Sequence, residues 1–251
     1  MARRGLRQKT KLSKANDVVG EGPFVNYDAV MVFLHSRINF DRIHSAKIPQ
    51  ESFKLDRMQA LVKQLGDPHL AVPVVHIAGS KGKGSTCAML ESCLRSSGYT
   101  TGLFTSPHLV DERERVRING VMIEKDEFGA ALSTVKDAAL AIAQEFGNAT
   151  YFELLTAVAF VIFAQQAVDI VILETGLGGR LDCTNFAEPV VVWLTSIQLE
   201  HTELLGETQP EIAFEKAGIM KPGVHAITVP QSEEVIEVFR DRANEINAPL
   251  C

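Results

Sequence analysis

The stretch VVHIAGSKGKGSTCAML, residues 74–90, decides the expected fold. Its first five residues are mostly apolar and β-branched, which is typical of a buried strand in a parallel sheet. After residue 86, apolar side chains recur at helical spacing until Gly98, a residue type that often ends a helix. Between the two segments lie three glycines, two lysines and three hydroxyl side chains. The stretch therefore predicts a strand, a glycine-rich loop and a helix in direct succession.

This glycine-rich loop has the properties of an anion site. A helix N-terminus exposes unpaired N–H groups and the positive end of the helix dipole, and glycine lets an anion approach the backbone closely. The loop is a variant of the P-loop pattern G-x-x-x-x-G-K-[ST], because a glycine separates the lysine from the hydroxyl residues. For the loop alone, an ordinary glycine-rich turn with solvated lysines is the alternative. The residues predicted to bind phosphate are Gly79, Ser80, Lys81, Gly82, Lys83, Gly84, Ser85 and Thr86.

The rest of the chain alternates between strand and helix patterns. Two helices are predicted at 26–36 and 52–65, before the glycine-rich loop. Strands are predicted at 74–78, 101–105, 169–174, 190–195 and 225–229, and further helices at 84–97, 125–146, 152–166, 209–220 and 233–247. This alternation predicts an α/β fold with a parallel sheet flanked by helices. Because the carboxyl ends of parallel strands meet at one edge, Glu174 and the segment leading to His201 are expected beside the loop.

Composition excludes several classes of protein. A chain of 251 residues with 46% hydrophobic content can form one large globular domain, and its net charge of −6 argues against general nucleic-acid binding. The most apolar stretch, 154–164, is shorter than the roughly 20 residues that span a bilayer, so it predicts a buried helix. The four cysteines lack metal-ligand spacing, which favours a reducing, cytoplasmic setting.

The two ends of the chain carry separate expectations. Six basic residues between Arg3 and Lys14 predict a basic disordered tail over 1–25, with an organelle-targeting segment as the alternative. Near the other end, Asn247-Ala248-Pro249 is typical of the approach to a further strand. We therefore expect a truncated chain.

Several long blocks, in order, resemble one family. They are AGSKGKGST (78–86), FTSPHLVDERERVRING (104–120), FELLTAVAF (152–160), ILETGLGGRLDCTN (172–185), TSIQLEHTELLG (195–206) and IAFEKAGIMKPG (212–223). Together they resemble the folylpolyglutamate synthase/dihydrofolate synthase family, a branch of the Mur-type ATP-dependent ligases. The resemblance implies that 26–251 form the P-loop NTPase-like central domain of such a ligase. It also implies a second, Rossmann-like domain for which this chain has no room.

The resemblance implies an ATP-dependent amide ligase. ATP would phosphorylate a carboxylate of a folate or dihydropteroate substrate, and the amine of L-glutamate would attack the acyl phosphate. Phosphoryl transfer depends mainly on positioning and on charge neutralisation by lysine and Mg²⁺. The implied partners are ATP, Mg²⁺ and these small molecules, and no nucleic acid or membrane is expected. The protein is expected to be a monomer. Whether dihydropteroate, tetrahydrofolate or both are used stays open.

The resemblance also implies roles for individual residues. Lys83 would hold the β- and γ-phosphates and, with His201 and Lys216, form the catalytic set. Lys216 would be carboxylated by CO₂ to a carbamate that holds a second Mg²⁺, the alternative being a helix-surface lysine paired with Glu215 or Glu211. The implied metal-binding residues are Ser85, Ser106, Glu174, His201 and Lys216, and the implied substrate-side residues are Ser106, Pro107, His108, Arg180, Asp182, Thr184 and Asn185.

Alternatives remain for two site segments and for the function. His108 either lines the folate pocket or packs beneath its loop. Arg113 and Arg115 either orient an anionic substrate tail or belong to a solvated charged strip with their acidic neighbours, and the flanking acids favour the strip. For the function, a P-loop kinase or NTPase and a MgATP-binding module without turnover stand beside the ligase.

Overall fold

The computed structural model describes residues 27–40, 43 and 55–251. The predicted tail at 1–25 and most of the predicted polar connection at 41–50 lie outside these residues. The helices are α1 (Tyr27–His35), α2 (Leu55–Gln64), α3 (Lys83–Ser96), α4 (Lys125–Phe146), α5 (Tyr151–Gln165), α6 (Thr202–Leu205), α7 (Gln209–Ala217) and α8 (Glu233–Glu245). The strands are β1 (Val74–Ala78), β2 (Thr101–Phe104), β3 (Val116–Ile118), β4 (Val121–Met122), β5 (Ile170–Glu174), β6 (Pro189–Leu194) and β7 (His225–Thr228).

A seven-stranded sheet has the order β4-β3-β2-β5-β1-β6-β7. Strands β2, β5, β1, β6 and β7 run parallel, and β3 and β4 add an antiparallel hairpin at one edge. The predicted α/β class is therefore confirmed, with a mixed rather than a purely parallel sheet. The hairpin was missed because its strands have only three and two residues, too few to show an alternating pattern.

Helices cover the sheet on both faces of β1, the middle one of its five parallel strands. All five residues of β1 are buried, as expected for a strand enclosed on both faces. One core cluster contains residues of α1, α2, α4 and α5, and a second contains residues of α7 and α8. A smaller cluster, which includes Val75, Cys87 and Ile172, packs α3 against the sheet. The loop between β1 and α3 therefore lies at the carboxyl edge of a rigid sheet.

Helix α5 is the buried helix that the apolar stretch 154–164 predicts. Its residues from Leu154 to Phe163 are all buried. Among the residues that the structure describes, no helix is both long enough and apolar enough to span a membrane.

The last residues of the chain lie beside β7, where the sequence predicts the approach to a further strand. Ala226 N–H donates to Pro249 O at 2.8 Å, and Cys251 N–H donates to Ala226 O at 2.9 Å. Thr228 N–H donates to Cys251 O at 3.0 Å, and the bridge between Ala226 and Leu250 is parallel. The segment 249–251 thus extends the parallel part of the sheet.

A buried ion pair fastens α2 to the N-terminus of α5. Arg57 Nε lies 2.9 Å from Glu153 Oε2, and both side chains are almost fully buried. The same Oε2 accepts from Thr150 N–H at 2.7 Å and from the Thr150 hydroxyl at 2.9 Å, which closes a capping box. One carboxylate therefore joins two helices and caps one of them.

We expect Arg57→Met to lower the free energy of unfolding by about 3 kcal/mol, since it leaves a buried carboxylate without its cation. The contacts from Thr150 keep the expected loss at the lower end of the range for broken buried pairs. The control is Arg240→Met, because Arg240 and Glu233 pair at 2.6 Å on the exposed surface, and such pairs contribute less than about 1 kcal/mol. Urea unfolding measures both variants, and equal losses would contradict the prediction.

Candidate functional site

The glycine-rich loop, residues 79–86, has a backbone that requires glycine at two points. Gly79 has φ 147° and Gly82, the N-cap of α3, has φ 88°, both in the region that favours glycine. A Cβ on Gly79 would also lie 1.8 Å from Thr195 Oγ1 at the end of β6. The loop therefore packs closely against the neighbouring strand end and opens α3 with free N–H groups.

Two lysines converge on one carbonyl of this loop. Lys83 Nζ donates to Gly79 O at 2.9 Å, and Lys216 Nζ, from α7, donates to the same oxygen at 2.9 Å. Lys83 belongs to the loop itself, whereas the fold brings Lys216 to this oxygen from 137 residues away. The other loop lysine, Lys81, is exposed. Two cationic groups thus lie beside an anion-binding type of helix terminus.

Lys216 is buried and paired, so the alternative of a helix-surface lysine is wrong. Its side chain is 1% exposed and its Nζ lies 2.7 Å from Glu200 Oε1. Glu215, one of the partners that the alternative assigned to it, instead binds Arg180. Burial lowers the pKa of Lys216, the nearby charge of Lys83 lowers it further, and Glu200 opposes both. Lys216 is therefore a buried amine that loses its proton more readily than an exposed lysine.

The loop is also tied to the segment that follows β6. Ser80 N–H and Lys81 N–H both donate to Ser196 O, at 2.9 and 3.1 Å. The buried Ser80 hydroxyl donates to Gln198 O at 2.9 Å. These bonds hold the segment 196–201, with Glu200 and His201, next to the glycine-rich loop.

Glu174 ends β5 on the same edge of the sheet, as predicted. It is 3% exposed, and its Oε2 accepts from Ser106 N–H at 3.0 Å. A Cβ on Gly84 would lie 3.7 Å from Glu174 Oε2, so the carboxylate faces the glycine-rich loop. Burial raises the pKa of Glu174, while the Ser106 N–H and the charges of Lys83 and Arg115 oppose that rise. The structure therefore brings Glu174, Ser106 and the loop together.

His201 lies at the edge of this assembly and on its surface. It is exposed, has φ 46° and precedes α6 without making a side-chain cap bond. Within 27–40, 43 and 55–251, no group of three or more His, Cys, Asp or Glu side chains is arranged to hold a metal ion. A shared metal site of Glu174 and His201 stays a prediction.

The segment from Gly176 to Asn185 is held by one buried carboxylate. Asp182 Oδ2 accepts from Leu177 N–H at 2.7 Å, and Oδ1 accepts from Thr184 N–H at 2.9 Å and from the Thr184 hydroxyl. Burial raises the pKa of Asp182, and these hydrogen bonds oppose the rise. A Cβ on Gly179 would lie 2.8 Å from Glu215 O, so the segment also packs tightly on α7. Asp182 and Thr184 therefore shape the segment from inside.

Arg180 and Asn185 connect this segment to α7. Arg180 Nη2 lies 2.8 Å from Glu215 Oε1, and its guanidinium covers the exposed Phe214 ring. Asn185 Nδ2 donates to Arg180 O at 3.0 Å and to Gly218 O at 3.1 Å. A substrate-side role for these residues stays a prediction, although their place beside Lys216 agrees with it.

Sequence reasoning missed His76, which lies in the middle of β1. Its Nε2 is 2.9 Å from Thr184 Oγ1, and the ring is fully buried. Because the Thr184 hydroxyl donates to Asp182, Nε2–H of His76 donates to Thr184. The signal available in the sequence was a polar residue inside a continuous apolar strand. His76 thus extends the support of the Asp182 segment into the core.

This burial gives His76 a role in acid stability. Desolvation, with a smaller contribution from the charge of Lys221, lowers the pKa of His76 to about 3. The unfolded chain, in which histidine has a pKa near ~6.5, then binds more protons than the native state at intermediate pH. The neutral ring contributes its full stability above a pH of ~6.5. This contribution declines as the pH falls toward 3, by up to about 1.4 kcal/mol per pH unit.

We expect His76→Gln to reduce the loss of stability between pH 6 and pH 4, because glutamine keeps an N–H donor but does not titrate. Urea unfolding at several pH values measures the slope in the parent and the variant. The raised pKa of Asp182 has the opposite effect on the free energy of unfolding, but this effect is present in both proteins. Identical slopes would show that His76 is not the group that titrates.

The expectation that Arg113 and Arg115 belong to a solvated charged strip is wrong, because both side chains are buried. Arg113 is mostly buried and binds Asp111 through its Nε and Nη2. Arg115 is 1% exposed and its Nε donates to His108 Nδ1 at 2.9 Å. The local pattern of alternating charges did not show that the turn Glu112–Arg115 folds inward before β3.

Comparison with known proteins gives consistent relatives. No protein-family model matches the chain. The curated dihydrofolate synthase/folylpolyglutamate synthase of Bacillus subtilis is 40% identical over 229 residues, which cover 90% of this chain and 51% of that protein. The mitochondrial folylpolyglutamate synthase of Bos taurus is 47% identical over 185 residues, which cover 70% of this chain and 31% of that protein. The chain spans about half the length, or less, of these curated relatives.

Solved structures agree in fold. The crystal structure of folylpolyglutamate synthase from Thermotoga maritima has a TM-score of 0.78 at 33% identity, covering 90% of this chain and 49% of that one. A complex of folylpolyglutamate synthase with AMPPCP and folate has a TM-score of 0.81 at 32% identity, covering 90% of this chain and 53% of that one. Since sequence and fold agree along most of its length, the chain belongs to the folylpolyglutamate synthase/dihydrofolate synthase family and has its Mur ligase fold.

Proposed function

We propose that this chain carries the ATP-binding part of an ATP-dependent amide ligase that adds L-glutamate to a folate or dihydropteroate carboxylate. The observation that supports it best is the meeting of Lys83 and Lys216 at Gly79 O, beside Glu174. Relatives named folylpolyglutamate synthase, and a relative's complex with AMPPCP and folate, support the same substrates. The cytoplasmic location and the monomeric state belong to this proposal as well.

In this proposal the chain's own residues position and neutralise the nucleotide. The N–H groups that open α3 bind the phosphates, and Lys83 moves from Gly79 O to the β- and γ-phosphate oxygens. The substrate carboxylate attacks the γ-phosphorus and ADP leaves, giving an acyl phosphate. The amine of glutamate then attacks the acyl carbon, losing a proton, and phosphate leaves as the amide forms. The chain's part is to hold the phosphates in line.

The donor set of this site suits Mg²⁺. Carboxylate and hydroxyl oxygens are the ligands that Mg²⁺ prefers, together with several waters. Glu174 faces the glycine-rich loop, and among the described residues its carboxylate accepts a hydrogen bond from Ser106 N–H alone, so it is available to a cation. Ser85, Ser106 and His201 are the further residues that we propose to hold the metal. Mg²⁺ would supply neutralisation of the phosphate charge.

Lys216 fits that site only after modification. As an ammonium paired with Glu200 it would repel a divalent cation, whereas a carbamate supplies oxygen ligands and a negative charge. Its lowered pKa favours the free amine that reacts with CO₂. We therefore include a Lys216 carbamate as a metal-binding and catalytic group in the proposal.

A MgATP-binding module without turnover is the second candidate function. Its support is the length of the match, because the chain covers 51% of the Bacillus subtilis relative. About half of that relative lies outside the match, and closing a site around its substrates can depend on such parts of a ligase. The two candidates share nucleotide binding and differ in ligation.

Calorimetry with AMPPCP and a ligation assay with labelled glutamate test the proposal. We expect AMPPCP to bind only with Mg²⁺, folate or dihydropteroate to bind as well, and the chain alone to form no glutamyl amide. Robust amide formation would show that this chain is sufficient for the whole reaction. Failure to bind any nucleotide would overturn both candidate functions.

A further inference from the structure

Arg115 holds the ring of His108 in one orientation. Its Nε–H donates to His108 Nδ1 at 2.9 Å. A guanidinium nitrogen can only donate, so Nδ1 must carry a lone pair and the ring hydrogen must lie on Nε2. The contact therefore fixes which nitrogen of His108 is a donor.

The cation that makes this contact is itself held in the core. Arg115 is 1% exposed, and its guanidinium carbon lies 5.7 Å from the Tyr151 ring centroid and 6.0 Å from that of Phe152. These are cation–π distances. Burying a guanidinium is costly unless it is hydrogen-bonded, and the bond to His108 is one of the contacts that Arg115 makes. The charge also polarises the imidazole and strengthens Nε2–H as a donor.

The backbone that carries His108 is equally constrained. A single carboxylate, that of Glu114, accepts from Leu109 N–H at 2.9 Å, from Val110 N–H at 2.9 Å and from Asp111 N–H at 2.8 Å. On the other side, Ser106 N–H is bound to Glu174. The loop is thus fixed at both ends, with His108 between them.

The donor that results is free for a ligand. His108 is half-buried, and no residue that the structure describes accepts a hydrogen bond from its Nε2. The ring is two residues from Ser106, whose backbone binds the carboxylate that ends β5. An N–H donor held in one orientation at this edge suits an acceptor oxygen, and a carboxylate oxygen is the acceptor that bonds such a donor most strongly.

We propose that His108 binds a carboxylate oxygen of the folate-type substrate through Nε2–H and that Arg115 is the positioning residue that fixes this donor. The inference rests on the proposed function for the identity of the substrate. It rests only on geometry for the tautomer. His108 therefore selects an acceptor oxygen, and Arg115 acts through it without touching the substrate.

Nitrogen NMR on the purified chain, labelled with ¹⁵N-histidine, tests the tautomer. The His108 signals are assigned by their loss in His108→Gln. We expect Nδ1 to have the shift of an unprotonated ring nitrogen and Nε2 that of a protonated one, and Arg115→Lys to mix the two forms. Hydrogen on Nδ1 in the parent would overturn the inference while leaving the proposed function intact.

Matched substitutions test the donor. Glutamine places an N–H near the position of Nε2, whereas asparagine places its N–H near Nδ1. We expect His108→Gln to bind folate within a few-fold of the parent, and His108→Asn and Arg115→Lys to bind it about 10- to 100-fold more weakly. AMPPCP affinity should be unchanged in all three variants, which separates a lost donor from a damaged fold.

The outcomes separate the inference from the proposed function. Equal folate affinity for His108→Gln and His108→Asn would overturn the donor role. Parent protein that binds neither folate nor dihydropteroate, with hydrogen on Nε2 as expected, would overturn the proposed function and with it the ligand of His108. If Arg115→Lys weakened the binding of both folate and AMPPCP, Arg115 would have a merely structural role.

Discussion

Lys83→Ala is expected to weaken MgAMPPCP binding by about 100-fold, since charge-assisted hydrogen bonds contribute roughly 1.5–3 kcal/mol and two phosphates are affected. The amine donates to Gly79 O, within the loop that leads into the N-terminus of α3. Alanine removes this charge without entering the core, because Lys83 is only half-buried. Calorimetry gives the affinity, and circular dichroism checks that the sheet and helices persist.

The control for Lys83→Ala is Lys63→Ala, because Lys63 is exposed in the last turn of α2, outside the loop. It removes the same charge from the protein without touching the site. A folded Lys83→Ala protein with the parent's affinity would overturn the assignment of this loop to phosphate. Equal losses in the two variants would point to net charge rather than to a local contact.

Lys216→Ala is expected to abolish the response of nucleotide binding to Mg²⁺ and to remove a carbamate signal that the parent shows. With ¹³C-bicarbonate, the free amine of Lys216 attacks CO₂, a C–N bond forms and one proton is released. Because the carbamate would lie beside the Glu200 carboxylate, two negative groups meet unless a cation is present. The ¹³C carbamate resonance should therefore grow when Mg²⁺ and AMPPCP are added.

Two further measurements sharpen this test. Acetate should restore part of the Mg²⁺ response in Lys216→Ala, because it can replace the missing carboxylate in the space that the side chain leaves. Lys221→Ala serves as the control, since Lys221 is also partly buried and its Nζ donates to Asn185 O at 2.9 Å. Absence of a carbamate in the parent under all conditions, or its persistence in Lys216→Ala, would contradict the assignment.

Much of the fold could be predicted because its elements are long and periodic. Helix α4 occupies 125–146 as predicted, since its apolar residues repeat over many turns. Glu174 and Lys83 could be predicted to meet because parallel topology alone brings strand ends and a strand-to-helix loop to one edge. The family resemblance added Lys216, which no local pattern distinguishes from a surface lysine.

What could not be predicted depends on side chains that meet across the fold. Glu200 is the partner of Lys216, yet nothing in the sequence around either residue indicates the other. His76 was hidden in an apolar strand, and its use depends on Thr184 arriving from 108 residues away. Arg115 was predicted to be solvated because its neighbours are acidic, whereas Glu114 binds three backbone N–H groups and the turn buries the arginine.

The shared acceptor at Gly79 has a consequence for how the protein behaves in different buffers. While both amines at this carbonyl oxygen are protonated they repel each other, and a polyanion that binds beside them lessens that repulsion only in the folded state. Pyrophosphate and tripolyphosphate should therefore raise the melting temperature more than chloride does at equal ionic strength. In Lys83→Ala that preference should disappear. The melting temperature in buffers with different anions thus tests this loop without nucleotide or folate.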